Sequence, residues 1–171
     1  YLAMAYYARE DYEFCNDYLT QYLQSSSVPE YFDQAFEHKF LIAEQFRAGA
    51  GKRIFKWQKS TGYLSALEDA ITIYDEVINT LPYTDLAARS LYGKAKIYNY
   101  FHDYDTAISS YLSVIKRFPK HELAIESFVD IAKLYVEKCL REHLDPKLLD
   151  SAEINYRKFV AAYPGETRIK E

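Results

Sequence analysis

The sequence predicts an all-α fold built from stacked helix pairs, and two observations carry that expectation. The first is a recurring skeleton: a small residue followed three positions on by an aromatic, then Ala-x3-aromatic, then Pro. Its clearest copy reads Ala95-x2-Tyr98, Ala107-x3-Tyr111, Pro119, and a second reads Ala132-x2-Tyr135, Ala152-x3-Tyr156, Pro164. An earlier copy reads Ala43-x2-Phe46, Ala70-x3-Tyr74, Pro82, and in all three the second alanine precedes the proline by twelve positions. A weaker first copy, Ala3-x2-Tyr6 with Cys15-x3-Leu19, has Ser27 where the proline belongs. The second observation is composition: 49% hydrophobic and 27% charged, with eighteen tyrosines but only five glycines and five prolines in 171 residues. Few breakers and many amphipathic aromatics suit packed helices, and this is not the composition of a disordered chain.

The skeleton has a physical reason. Two helix axes approach closely only where a small side chain lets them, hence Ala95 and Ala107. A large flat ring beside each small residue fills the space that remains. The proline stops the second helix and sets the path to the next pair. One pair cannot cover its own apolar faces, so neighbours must stack.

Small-x2-aromatic followed by Ala-x3-aromatic and Pro resembles the tetratricopeptide repeat. That resemblance implies a TPR-like α-solenoid of about four helix-turn-helix repeats, approximately 1–28, 29–83, 84–120 and 121–165, in a single domain over 1–171. It also implies that the work of the chain is binding other proteins.

Helices are expected over 2–9, 12–25, 29–57, 63–80, 85–101, 104–118, 121–142 and 147–163. Asp11 and Asp103 stand where N-caps belong, and Thr84 or Asp85 can cap the helix after Pro82. Asp145-Pro146 reads as a cap followed by proline at the first helical position. Ser25-Ser26-Ser27-Val28-Pro29 and Ser60-Thr61-Gly62 read as polar turns. The second and fourth repeats are lengthened, by about fifteen residues between Phe46 and Ala70 and about eight between Tyr135 and Ala152. Longer helices or wider turns at about 47–69 and 136–151 would absorb the excess, either as contact-making insertions or as neutral variation.

A formal charge of −4 argues against nucleic acid as the main partner. No apolar run approaches the roughly twenty residues that span a bilayer. Tyr1 falls inside the first helix of a repeat and Glu171 follows an aromatic-Pro step, so the chain is expected to be a fragment of a longer one. Cys15 and Cys139 read as buried thiols, because repeats this far apart rarely touch.

Catalytic signatures are lacking. Gly49-Ala50-Gly51-Lys52 suggests a phosphate loop, but Phe46 stands where its first glycine is needed and Arg53 follows the lysine. His38, His102, His121 and His143 have no metal spacing, and no nucleophile motif surrounds a serine or cysteine. Glu68-Asp69 and Asp75-Glu76 read as solvated, so neither enzyme nor cofactor is expected. At helical spacing Lys52, Lys56 and Lys59 form a basic stripe. It suits an acidic partner or anionic lipid heads, or else it is the solvated face of a long helix whose Phe55 and Trp57 pack inward.

In tetratricopeptide proteins the first helix of each pair lines a concave groove. Carried onto this chain, that nominates Glu37, Phe40, Glu44 and Arg47, then Arg89, Tyr92, Lys96, Asn99 and Tyr100, then Glu126, Val129, Lys133 and Glu137. The carboxylate clamp of the chaperone-binding subgroup is missing, since Tyr92 and Lys96, or Phe40 and Glu44, occupy its positions. Charge reversal at Lys96 with Tyr92→Ala is expected to weaken binding and leave melting nearly unchanged.

The endings Val114-Ile115-Lys116-Arg117-Phe118-Pro119 and Phe159-Val160-Ala161-Ala162-Tyr163-Pro164 resemble repeats of bacterial envelope proteins, the BamD-type outer-membrane assembly lipoproteins and, more loosely, the Tol-associated YbgF type. The resemblance implies a periplasmic scaffold held to the outer membrane by an N-terminal lipid. Its partners would be a barrel-assembly complex and unfolded outer-membrane proteins. The rivals are a cytosolic adaptor or secretion chaperone, and a helical enzyme with an unmarked site.

Overall fold

The computed structural model of the chain describes residues 1–25, 29–50, 59–141 and 145–166, with backbone alone over 59–63. Eight helices run through the described residues: α1 (Leu2–Ala8), α2 (Tyr12–Gln24), α3 (Phe32–Arg47), α4 (Lys59–Thr80), α5 (Asp85–Tyr100), α6 (Tyr104–Arg117), α7 (Glu122–Arg141) and α8 (Pro146–Ala162). The architecture is an all-α helical repeat, as the skeleton predicts. The chain forms two compact units, Tyr1–Ser90 and Leu91–Glu171.

A shared device ends the first helix of three pairs. Glu10, Gly49 and His102 adopt φ values of 60°, 105° and 60°, each just past the end of α1, α3 and α5. At each, two successive N–H groups turn back: Glu10 to Tyr7 O and Asp11 to Tyr6 O, Gly49 to Phe46 O and Ala50 to Gln45 O, His102 to Asn99 O and Asp103 to Tyr98 O. This is the Schellman closure, which satisfies carbonyls the helix would otherwise leave bare. It corrects the expected helix over 29–57, because α3 stops at Arg47 where Gly49 takes the left-handed conformation open to glycine.

The second helices end differently. Leu81, Phe118 and Tyr163 still donate to the carbonyl four residues back, at 2.9, 2.8 and 2.8 Å, and the proline that follows each has no N–H to continue. Phe118 and Tyr163 have left the helical region, at ψ 53° and 68°, as a residue before proline tends to. Tyr163 also donates its hydroxyl to Pro119 O at 2.6 Å, so one aromatic-proline ending hydrogen-bonds to the other.

Helix starts follow the cap signals with one exception. Asp103 accepts from Thr106 N at 3.2 Å, Asp145 from Lys147 N at 3.0 Å, and Thr84 rather than Asp85 caps α5 by accepting from Ala87 N at 3.3 Å. Asp11 makes no cap hydrogen bond and lies 3.5 Å from Arg9 instead. The expected turn at Ser60-Thr61-Gly62 lies inside α4, which begins at Lys59. Poor helix formers cost at most about 1 kcal/mol each, and the burial of Ala66, Leu67, Ala70, Ile73 and Tyr74 further along outweighs that. Part of the excess is helical, since α4 has 22 residues and α7 has 20 against 16 for α5 and 14 for α6, while 51–58 and 142–144 of these stretches lie outside the described residues.

In the first unit, Cys15, Ala43, Phe46, Ala70 and Tyr74 pack as the skeleton requires, and all are almost fully buried. Burial pushes the Cys15 thiol up to about 11, while a hydrogen bond with the Tyr7 backbone and the nearby Lys39 charge pull the other way. Tyr6 stacks between Phe14 and Tyr18 at 5.5 and 5.2 Å, which seats α1 on α2. Among the described residues the buried charged side chain is Lys39. The Lys39 ammonium, 1% exposed, donates to Asn16 Oδ1 at 2.8 Å and Thr20 Oγ1 at 2.6 Å and lies 2.8 Å from Glu76 Oε2, joining α3 to both α2 and α4.

In the second unit Ala95, Tyr104, Ala107, Ile108, Tyr111, Ile131 and Leu134 form one buried cluster, with Tyr92, Tyr98, Ile115 and Tyr135 against it. Phe128 and Phe159 meet edge to face at 5.6 Å, and buried Asn155 donates to Phe128 O at 3.1 Å. Ala132, Ala152 and Tyr156 remain partly exposed, so the fourth copy keeps the pattern without the full burial of the third. Cys139 is buried, and both cysteines are free thiols.

Candidate protein-binding surfaces

In the second unit α5 presents Tyr92, Lys96 and Asn99, spaced four and three apart and therefore on one face. Opposite them α7 presents Glu126, Asp130, Lys133 and Glu137 at the same kind of spacing. These side chains line a cleft of about 450 Å³ whose floor is Tyr111 and Leu134. Of the residues nominated on these helices, Tyr92, Lys96, Asn99, Glu126, Lys133 and Glu137 converge there, whereas Arg89, Tyr100 and Val129 do not. Tyr100 lies about 100° further round the helix than Asn99 and rests against Phe101, 5.8 Å between ring centres.

The cleft is held in shape by its own wall. The Tyr92 hydroxyl donates to Asp130 Oδ2 at 2.7 Å, and Lys133 Nζ donates to Asp130 Oδ1 at 3.2 Å. The Tyr92 ring meets Tyr111 edge to face at 5.4 Å, and Lys96 Nζ lies 4.6 Å from its centre, over the ring. Asp130 is the residue the sequence reading missed. Helical spacing puts it on the same face as Glu126 and Lys133, but its partner Tyr92 is 38 positions away. Chemically the cleft offers cations, carboxylates and one side-chain amide around an aromatic wall.

In the first unit the nominated residues divide. Glu37, Phe40 and Arg89 meet at a groove of about 520 Å³ between α3 and the start of α5. Phe40 is 2% exposed, so it is the floor under Arg89, whose guanidinium carbon lies 4.5 Å above the ring. Glu44 and Arg47 instead form a pair at 2.5 Å, and Glu44 also accepts from the hydroxyl of buried Tyr74. Burial works against the Glu44 carboxylate, yet the hydrogen bonds from Arg47 and Tyr74 and the charges of Arg47 and Arg89 together hold its pKa below the usual value. Burial, then the Glu44 charge, raises that of Tyr74. These two residues therefore join α3 to α4. Lys52 and Lys56 of the basic stripe lie outside the described residues, as does the Lys59 side chain. With α3 ending at Arg47, that helix does not carry the stripe.

A third hollow, about 500 Å³ and lined by Leu2, Met4, Tyr18, Tyr22 and Tyr31 among others, lies against α1 to α3. No sequence motif marked it. No helix among the described residues is long and apolar enough to cross a membrane.

Residues 89–121, which run from α5 through α6 and carry half of the cleft, match the family described as Tetratricopeptide repeat. That segment is a repeat of the tetratricopeptide type. No curated protein and no solved structure matches the chain. The matched tetratricopeptide segment coincides with the copy that the skeleton marks most clearly, Ala95 to Pro119. Its Tyr92, Lys96 and Asn99 are the α5 side of the cleft.

Proposed function

We propose that this chain is a non-catalytic scaffold that binds an extended segment of another protein in the cleft between α5 and α7. Tetratricopeptide repeats mediate protein–protein interaction, and the observation that carries the site is the convergence of Lys96, Asn99, Glu126, Lys133 and Glu137 in one pre-formed cleft. Paired charges and an amide suit a bound backbone and its polar side chains, while the aromatic wall suits an apolar neighbour. A wall already tied by the Tyr92–Asp130 hydrogen bond needs little ordering on binding.

Tyr92 is a poor residue to mutate for a binding test, because its ring packs on the core cluster and Tyr92→Ala would lower melting as well. Lys96→Glu combined with Glu137→Lys tests the site better, since both side chains are exposed. A photo-crosslinking residue at position 99 of the full-length protein should capture partners in cells. The double variant should lose about tenfold or more of that capture while its circular dichroism stays the same. Undiminished capture would sink the cleft assignment.

Its setting, in this reading, is the bacterial envelope, in outer-membrane assembly of the BamD type, with an N-terminal lipid as anchor and a periplasmic location. The support is the pair of aromatic-proline endings, Phe118-Pro119 and Tyr163-Pro164, together with the lengthened second repeat. Mass spectrometry of the native protein from cell fractions tests this. A lipidated N-terminal cysteine in the outer-membrane fraction is the expected result. An unmodified terminus in the cytosol would overturn it and leave a cytosolic adaptor or secretion chaperone.

A further inference from the structure

We infer that the groove between α3 and the start of α5 is a second recognition site, selective for a peptide segment that carries a lysine or arginine beside an apolar side chain. The inference rests on the scaffold reading and adds a charge preference that the α5–α7 cleft does not have.

Its rim is acidic. Asp33 and Glu37, one turn apart on α3, are exposed on one side, and Asp85 of α5 stands on the other. Among the described residues lining the groove one cation, Arg89, faces them, and it is already engaged: it lies 3.6 Å from Asp85 and covers the Phe40 ring. Three carboxylates around one committed guanidinium leave a negative potential inside the groove. An incoming cation is drawn in, and an acidic segment is repelled.

Between the rims lies an apolar floor. Leu41 is 39% exposed, and Leu81 and Leu86 are partly exposed beside it. A lysine or arginine can lay its methylene stem on such a surface while its head reaches the carboxylates. A neighbouring leucine-like side chain covers the rest. The α5–α7 cleft carries Lys96 and Lys133 among its own carboxylates and lacks this one-sided field.

The test uses two short capped peptides, Gly-Leu-Lys-Leu-Gly and Gly-Leu-Glu-Leu-Gly, titrated into the isotope-labelled chain and followed by amide chemical shifts. The lysine peptide should move the amides of Glu37, Leu41 and Leu86 and saturate, and the glutamate peptide should not. Asp33→Asn with Glu37→Gln should weaken the lysine peptide about tenfold, and raising salt should weaken it further. Equal binding of both peptides, shifts mapping elsewhere, no saturable binding, or an unaffected variant would each overturn the inference. The pair Lys96→Glu and Glu137→Lys should change this affinity less than about twofold, as expected for a separate site. Failure here with position-99 crosslinks intact removes the groove and leaves the scaffold reading standing. Loss of those crosslinks strikes at the cleft reading itself.

Discussion

Replacing Lys39 by alanine is expected to lower stability by about 3–5 kcal/mol, measured by urea unfolding followed by circular dichroism. Two losses add. The four-carbon stem is wholly buried, so its removal leaves a cavity among α2, α3 and α4. The ammonium also satisfies Asn16 Oδ1, Thr20 Oγ1 and the Glu76 carboxylate, and all three lose their partner at once. Lys39→Met separates the two effects, because it keeps most of the volume and removes the charge. Glu76 is 41% exposed and can return to water, so the methionine variant should lose only about 1–2 kcal/mol. Equal losses in both variants would mean that the charge, not the volume, holds these helices together. Two variants within about 1 kcal/mol of the parent would remove the residue from the account of the fold.

Ala107→Leu should cost about 1–3 kcal/mol, whereas Ala152→Leu, the same change at the matching place of the next copy, should cost well under 1 kcal/mol. Ala107 has no exposed surface and sits in the cluster with Ala95, Tyr111, Ile131 and Leu134, so three extra carbons must displace rings already in contact. Ala152 is partly exposed, and a leucine there can turn outward. Thermal unfolding reads the difference as roughly 2–4 °C per kcal/mol for a chain of this size. Similar melting of the two variants would show that burial at the crossing does not explain why the skeleton places alanine there.

These expectations differ in how legible their residues were beforehand. Ala107 could be read directly, because a small residue at a helix crossing repeats at fixed spacing. The α5 side of the cleft was legible for the same reason: Tyr92, Lys96 and Asn99 share a face through the helical period, whatever packs opposite. Lys39 was not legible, although it occupies the buried stripe of Phe36, Ala43 and Phe46. A lysine at such a position is tolerable only with partners, and those partners sit 19, 23 and 37 positions away. The tetratricopeptide resemblance nominates Glu44 and Arg47 for the groove, but Tyr74, thirty positions on, draws Glu44 into a helix-joining pair. The end of α3 could have been found, since Gly49 is a fair C-terminal glycine. Glu10 and His102 perform the same closure without a glycine to announce it.

Local periodicity therefore carried the helices, the caps at Asp103 and Asp145, and the packing alanines. A helix period and a cap depend on residues within a turn or two of each other. Which polar residues became core, which cleft residues acquired partners, and which groove kept a one-sided charge all depended on the rotation and register of one helix against another. Those are set by many weak contacts summed over whole faces, and no short stretch of sequence contains that sum.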